Sequence, residues 1–182
     1  MAGRDALREL TPSPAAGFEA PFAMLEACHE RIQRTLGLLQ RLRQHVAQYG
    51  ADDQARQAAR DVLRYFDQAA PQHHLDEELH VLPVLEGSGD PSLVALASRL
   101  RNDHRRMEAS WAVARPILSS LAEGRLTGLQ GVQDDALATF AALHADHLEA
   151  EDQVAFPAAS TTLDTTALDR MSRDMRVRRG AA

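Results

Sequence analysis

His73, Glu77 and Pro83 recur as His147, Glu151 and Pro157, so two stretches of this chain read His-x3-Glu-x5-Pro. A third His-x3-Glu pair, His104 with Glu108, lies between them, and His29 lies upstream of all three. Four residues of α-helix make just over one turn and rise roughly 6 Å, so each pair projects from one helix face as a two-toothed chelate. Four imidazoles and three carboxylates are too many for one zinc ion, which takes four ligands in structural sites. They suit two adjacent six-coordinate ions, and a mixture of imidazole and carboxylate favours iron, then manganese, with zinc less suited. Carboxylates can bridge two cations and offset their repulsion. Pairs at i and i+4 can also be plain surface contacts, but His before Glu is the weaker order for such a contact. All seven residues fall on stripes otherwise filled by Leu, Phe, Val and Trp, where three unpaired acids would be prohibitively costly to bury without a cation.

These residues must be carried by long helices. Hydrophobic residues make up 45% of the 182, aromatics only 4%, and Ala and Leu supply the bulk, which is a helix-forming composition. Apolar residues at three- and four-residue intervals predict a first helix from Pro21 to about Tyr49, stopped by Gly50. A second runs from about 52 to 86, kinked at Pro71 and ended by Gly87-Ser88-Gly89. A third opens at Asp90-Pro91 and runs to Gly124. A fourth, from about 129 to 158, carries Val132, Phe140, His147 and Val154 inward and breaks near Pro157. Thr165 and Thr166 cap a short fifth helix, from 167 to about 178. Its arginines, Arg173, Arg176, Arg178 and Arg179, read as a solvated terminus that complements the helix dipole. No strand-like alternation occurs. The expectation is an all-α, up-down-up-down four-helix bundle over 18–160, preceded by a flexible arm (1–17) and followed by a C-terminal helix and basic tail (161–182).

All 20 cationic side chains are arginine, set against 26 acids for a formal charge of -6. Such a balance argues against a nucleic-acid-binding surface, which needs a concentrated positive face. One cysteine, Cys28, excludes an internal disulfide and fits a cytoplasmic setting. The polar start and the lack of a run of about 18 apolar residues argue against secretion and membrane spanning. A monomer or homodimer is expected, and the sequence names no protein partner.

The order His29, then His73-x3-Glu77, His104-x3-Glu108 and His147-x3-Glu151, with Glu77-Glu78 leading to Leu82-Pro83, resembles the hemerythrin-like, or HHE cation-binding, domain over roughly 18–160. The resemblance implies a non-haem di-iron centre with an oxo or hydroxo bridge. Glu77 and Glu151 would bridge the irons, His29 and His73 would serve one, and His104, Glu108 and His147 the other. It implies a small ligand: dioxygen, nitric oxide or peroxide. Oxygen-carrying members have a second histidine on the third helix where this chain has Glu108, and a third carboxylate would stabilise the oxidised state. That departure turns the expectation from oxygen transport towards sensing, peroxide or nitric-oxide chemistry including a catalase-like enzyme, or iron storage.

His80, two turns beyond His73, is a candidate for a proton carrier beside the centre, and His144, one turn before His147, is a weaker one. His74 and Glu78 sit about 100° around the helix from His73 and Glu77 and read as rim residues, although a one-residue shift of the chelate would bring them inward instead. His45 reads as surface and Cys28 as packing. An up-down course places Leu36, Phe66, Trp111 and Phe140 in one apolar layer that seals one flank of the metals. It places Phe22, His80, Ala97 and Val154 on the opposite flank, through which small molecules are expected to enter.

Overall fold

A computed structural model describes residues 17–181; the N-terminal arm expected over 1–17 lies almost wholly outside the described residues. Helix α1 spans Pro21–Tyr49, α2 Asp53–His80, α3 Leu82–Glu86 and α4 Pro91–Ala122. Then come α5 (Gly131–Ala142), α6 (Ala145–Ala150), a π-helical turn at Glu151–Ala155, α7 (Phe156–Thr162) and α8 (Thr165–Arg178). The described residues contain no strand, and none of their helices is long and apolar enough to cross a membrane.

The helix boundaries follow local chemistry. Asp52, Asp90 and Asp164 accept from the backbone N–H of Ala55, Ser92 and Ala167, satisfying donors that a helix start leaves orphaned. For α8 this corrects the expected cap at Thr165 and Thr166. Pro21 and Pro91 sit in first turns, where the missing N–H costs nothing. Gly50 closes α1 with φ 77°, a left-handed conformation that favours glycine.

Two long helices expected as single rods are divided. The second continues as helix through Pro71 and is interrupted at Val81, two residues ahead of Pro83, which has no N–H to continue the ladder. The fourth is divided at Leu143–His144 and again by the π-turn, where the Phe156 N–H reaches back five residues to the Glu151 carbonyl just ahead of Pro157. The wider turn advances the inward register by about one residue. Ala155 and Phe156 are buried and Val154 is exposed, which corrects the expected inward Val154. Val132 is also exposed.

Residue pairs fix how the segments meet. His29 lies beside Glu77 and His45 beside Asp52, joining α1 to α2 at both ends. Glu78 meets Arg101, Asp67 meets Arg115, and Arg60 donates to the Ala122 carbonyl, joining α2 to α4. Trp111 packs on Phe140, and Arg43 forms a two-pronged pair with Asp134 at 2.7 Å, bringing α4 and α1 to α5.

The core has two parts, one on each flank of the histidines. The first holds Leu38, Leu39, Leu42, Val62, Phe66, Leu118, Leu121 and Phe140. The second holds Leu25, Leu82, Leu85, Ala97, Leu100 and Phe156, with Met171 and Met175 of α8 laid across it. Asp76 of α2, fully buried, is held by Arg178 at 2.7 Å and by Arg179. Those two arginines therefore correct the reading of the α8 tail as a solvated terminus. His45, expected at the surface, is 8% exposed, with Nε2 3.0 Å from Asp52.

Candidate metal centre

Between the two core regions lie His29, His73, Glu77, His104, His147 and Glu151, each at most 4% exposed. Helix α1 supplies the first, α2 the next two, α4 His104, and α6 with the π-turn the last two. His73 Nε2 stands 3.0 Å from Glu77 Oε1, and His29 Nε2 is 3.6 Å from that same oxygen and 3.3 Å from Glu151 Oε2. His147 Nε2 is 3.1 Å from Glu151 Oε1, while His104 Nε2 is 3.4 Å from Glu77 Oε2 and 3.8 Å from Glu151 Oε1.

Both carboxylates thus touch both sides of the cluster. The donor atoms sort into one group of His29, His73, Glu77 and Glu151 and another of Glu77, His104, His147 and Glu151. Within each group the ligand atoms lie within 4.8 Å of one another.

None of the four inward Nε2 atoms, and none of the four Glu77 and Glu151 oxygens, has a hydrogen-bond partner. Buried polar atoms left unpaired cost about 1–3 kcal/mol each, more for charged groups, so eight together make a strong case for a cation among them. The arrangement can hold two neighbouring cations, each served by two of these imidazoles and shared carboxylate oxygens.

The outward ring nitrogens are partly braced. His29 Nδ1 lies 2.7 Å from Asp152 Oδ1 and His104 Nδ1 3.0 Å from Glu78 Oε1, so the carboxylates fix the rings with Nδ1–H outward and Nε2 inward. Phe156 stacks on His29 with centroids 5.0 Å apart and planes 25° apart. Without a cation, burial pulls His29 and His104 down, and Glu151 and Glu77 outweigh it, lifting both to about 10. The lifting contacts, at 3.3–3.8 Å, lack hydrogen-bond geometry, so electrostatic attraction carries the effect. Burial, reinforced by neighbouring histidines, drives His73 and His74 well below the ordinary range.

Six of the seven expected site residues are therefore brought together, and Glu108 is not. It is exposed on α4 and belongs to neither group. It lines the cavity between α2 and α4 that His74 and His104 also bound, and the expected place among the close donor atoms is not taken.

His74 occupies the vacated side. Its ring stacks on His104 at 4.2 Å with planes 12° apart, and His74, His104 and His147 form a third close donor group. The residue read as rim thus adds to the second position, while His73 and Glu77 keep the first. The stretch His73-His74 carried this signal: adjacent positions about 100° apart can face two ions lying side by side.

The other histidines also resolve. His144 is buried, with Nδ1 3.0 Å from the Phe140 carbonyl, and stacks edge-on against Phe66 and Phe140. His80 pairs with Asp174 of α8 at 2.6 Å and takes no part in the donor groups.

The flank expected to be open is closed by α8, and the flank expected to be sealed is hollow. Phe66, Trp111 and Phe140 do form a layer, with centroids 4.8–5.3 Å apart. A cavity of about 440 Å³ adjoins it, bounded also by His74 and His104. The entry route is accordingly a correction: the cavity lies on the aromatic flank.

A helical bundle with a buried His/Glu cluster defines a metal-binding class of protein. Residues 20–159 match the family described as Hemerythrin HHE cation binding domain, and the chain belongs to that family. A Haemophilus influenzae protein, described as uncharacterized, is 26% identical over 171 residues, covering 93% of this chain and 96% of its own length.

Proposed function

We propose that the chain is a non-haem di-iron protein whose centre binds or reacts with a small oxidising or diatomic ligand, namely dioxygen, nitric oxide or peroxide. The observation that carries this reading is the convergence of four imidazole nitrogens and four carboxylate oxygens, all buried and without hydrogen-bond partners. Glu77 and Glu151 would bridge two ions, His29 and His73 would hold one, and His104, His147 and His74 the other. Nitrogen and carboxylate donors together suit iron before manganese or zinc. Bound iron would supply Lewis acidity and one-electron redox chemistry. The chain's own contribution is to place the imidazoles, orient His29 through Asp152 and His104 through Glu78, and exclude water with the two core regions.

The residue pairs support an up-down-up-down course for the four long segments, with α8 as part of the same unit rather than a separate tail. With Glu108 outside the donor groups, the case for a third carboxylate falls away. A histidine-rich second position supports reversible binding as well as turnover, so a catalase-like activity is the second reading. Iron storage draws no support from a site whose donor groups have room for two ions.

The test is optical spectroscopy of the iron-loaded protein on addition of dioxygen, nitric oxide and peroxide in turn. A stable, reversible adduct supports binding, and rapid gas evolution from hydrogen peroxide supports the enzyme. A spectrum unchanged by all three would overturn both.

A further inference from the structure

A cavity of about 440 Å³ between α2 and α4 is much larger than the ligands just named require. A water molecule takes about 30 Å³ of liquid, and a diatomic or peroxide needs on the order of one or two such volumes. The cavity instead falls within the roughly 300–1,000 Å³ span of pockets for organic ligands, which combine apolar walls with a few convergent polar groups. Phe66, Trp111 and Phe140 form an aromatic wall, Met107 and Pro71 extend it, and His74 and His104 close the metal-facing end.

Charges around the cavity offset one another. Glu78 and Glu108 are matched by Arg101 and Arg105, and Arg101 is already engaged by Glu86 at 2.8 Å and by Glu78. With Glu78 and Glu108 beside Arg101 and Arg105, these four side chains bring no net positive charge to favour an anionic head.

We propose that this cavity binds a neutral, compact organic molecule: an aromatic or branched-alkyl body of about ten non-hydrogen atoms, a size within reach of such pockets, bearing one hydroxyl-type oxygen. The body lies on Phe66, Trp111 and Phe140, and the oxygen faces the His74–His104 end. The direction of the oxygen rests on the metal-centre reading, whereas the seat of the body does not.

Trp111 is the chain's single tryptophan, so its emission reports occupancy directly. The probe is 2-phenyl-2-propanol titrated into the as-purified protein, with phenylacetate as the anionic counterpart. The expected result is a saturable change in Trp111 emission with a Kd at or below about 1 mM, on the order set by ligand size. Phenylacetate should bind at least about tenfold more weakly, since burying its charge is penalised. Ala70→Leu, which narrows the cavity, should weaken the alcohol at least about tenfold with helical content and metal content unchanged. Should that variant fail to fold, the Met107 methyl resonance of the unmodified protein must shift saturably with the same Kd. No saturable change in either signal up to about 10 mM, well above the expected Kd, or tighter binding of phenylacetate, would overturn the proposal. Alcohol binding to a chain that takes up no metal supports the cavity and removes the metal reading. A metal-loaded chain that ignores the alcohol overturns the cavity and leaves the metal reading standing.

Discussion

The two flanks of the His/Glu cluster are built from equivalent helix positions and finished in opposite ways. On one, Phe66 and Phe140 meet edge to face with Trp111 tilted against both, yet they leave a cavity against His74 and His104. On the other, smaller residues such as Ala97 and Ala155 are roofed by Met171 and Met175 of α8, and Asp76 is clasped by Arg178 and Arg179. Bulky side chains therefore do not by themselves seal a flank. Large rings hold helices apart as readily as they fill the gap, and small residues admit a covering helix.

This contrast can be broken most sharply at the α8 clasp. Replacing both Arg178 and Arg179 with alanine leaves Asp76 buried without its partners, and breaking such a pair costs about 3–5 kcal/mol. Urea unfolding should show that loss, whereas an Asp67→Ala change on the cavity flank, which removes an exposed pair with Arg115 and the acceptor of the Trp111 indole N–H, should cost much less. Similar losses from the two changes would erase the distinction between the flanks.

The cavity flank should carry an acid sensitivity of its own. Burial holds His144 down to about 4, against an ordinary value near 6.5. Its depressed folded value means that the unfolded chain takes up the proton first. The stability that neutral His144 allows is thus present above about pH 6.5 and is lost as pH falls towards 4, by up to about 3 kcal/mol. His144→Phe should flatten that part of the stability-versus-pH curve, and an unchanged slope would contradict the assignment.

Smaller effects sharpen the metal end. Asp152→Ala and Glu78→Ala remove the carboxylates behind His29 and His104 and should each lower metal affinity about 10- to 100-fold, measured by competition with a chelator. His74→Ala should weaken the second ion selectively. Glu108→Gln should change metal affinity by less than about twofold, the weakest effect in the series, because Glu108 lies outside the donor groups. Equal losses from His74→Ala and Glu108→Gln would restore the third carboxylate to the centre.

Much of the helical framework and the convergence of six of the seven residues expected at the site were legible in the sequence, because His29, the His-x3-Glu repeats and the aromatic layer all obey the helix period. What escaped detection does not obey it. Pro83 and Pro157 act on the backbone ahead of them, so Val81 breaks α2 and the π-turn carries Phe156 inward in place of Val154. Asp76 and His45 carry no periodic signal, since each is buried by a partner distant in sequence or across a turn. His74 lay one position from a strong motif and was masked by it. The open flank was misread because α8, outside the repeat, decides which side is covered.

Metal content of the purified protein, measured beside that of Glu77→Ala, tests the account most directly. Glu77 belongs to both four-residue donor groups, so the account predicts two metal ions per unmodified chain and loss of both in the variant. A chain that binds no metal, or a variant that keeps its full complement, would contradict it.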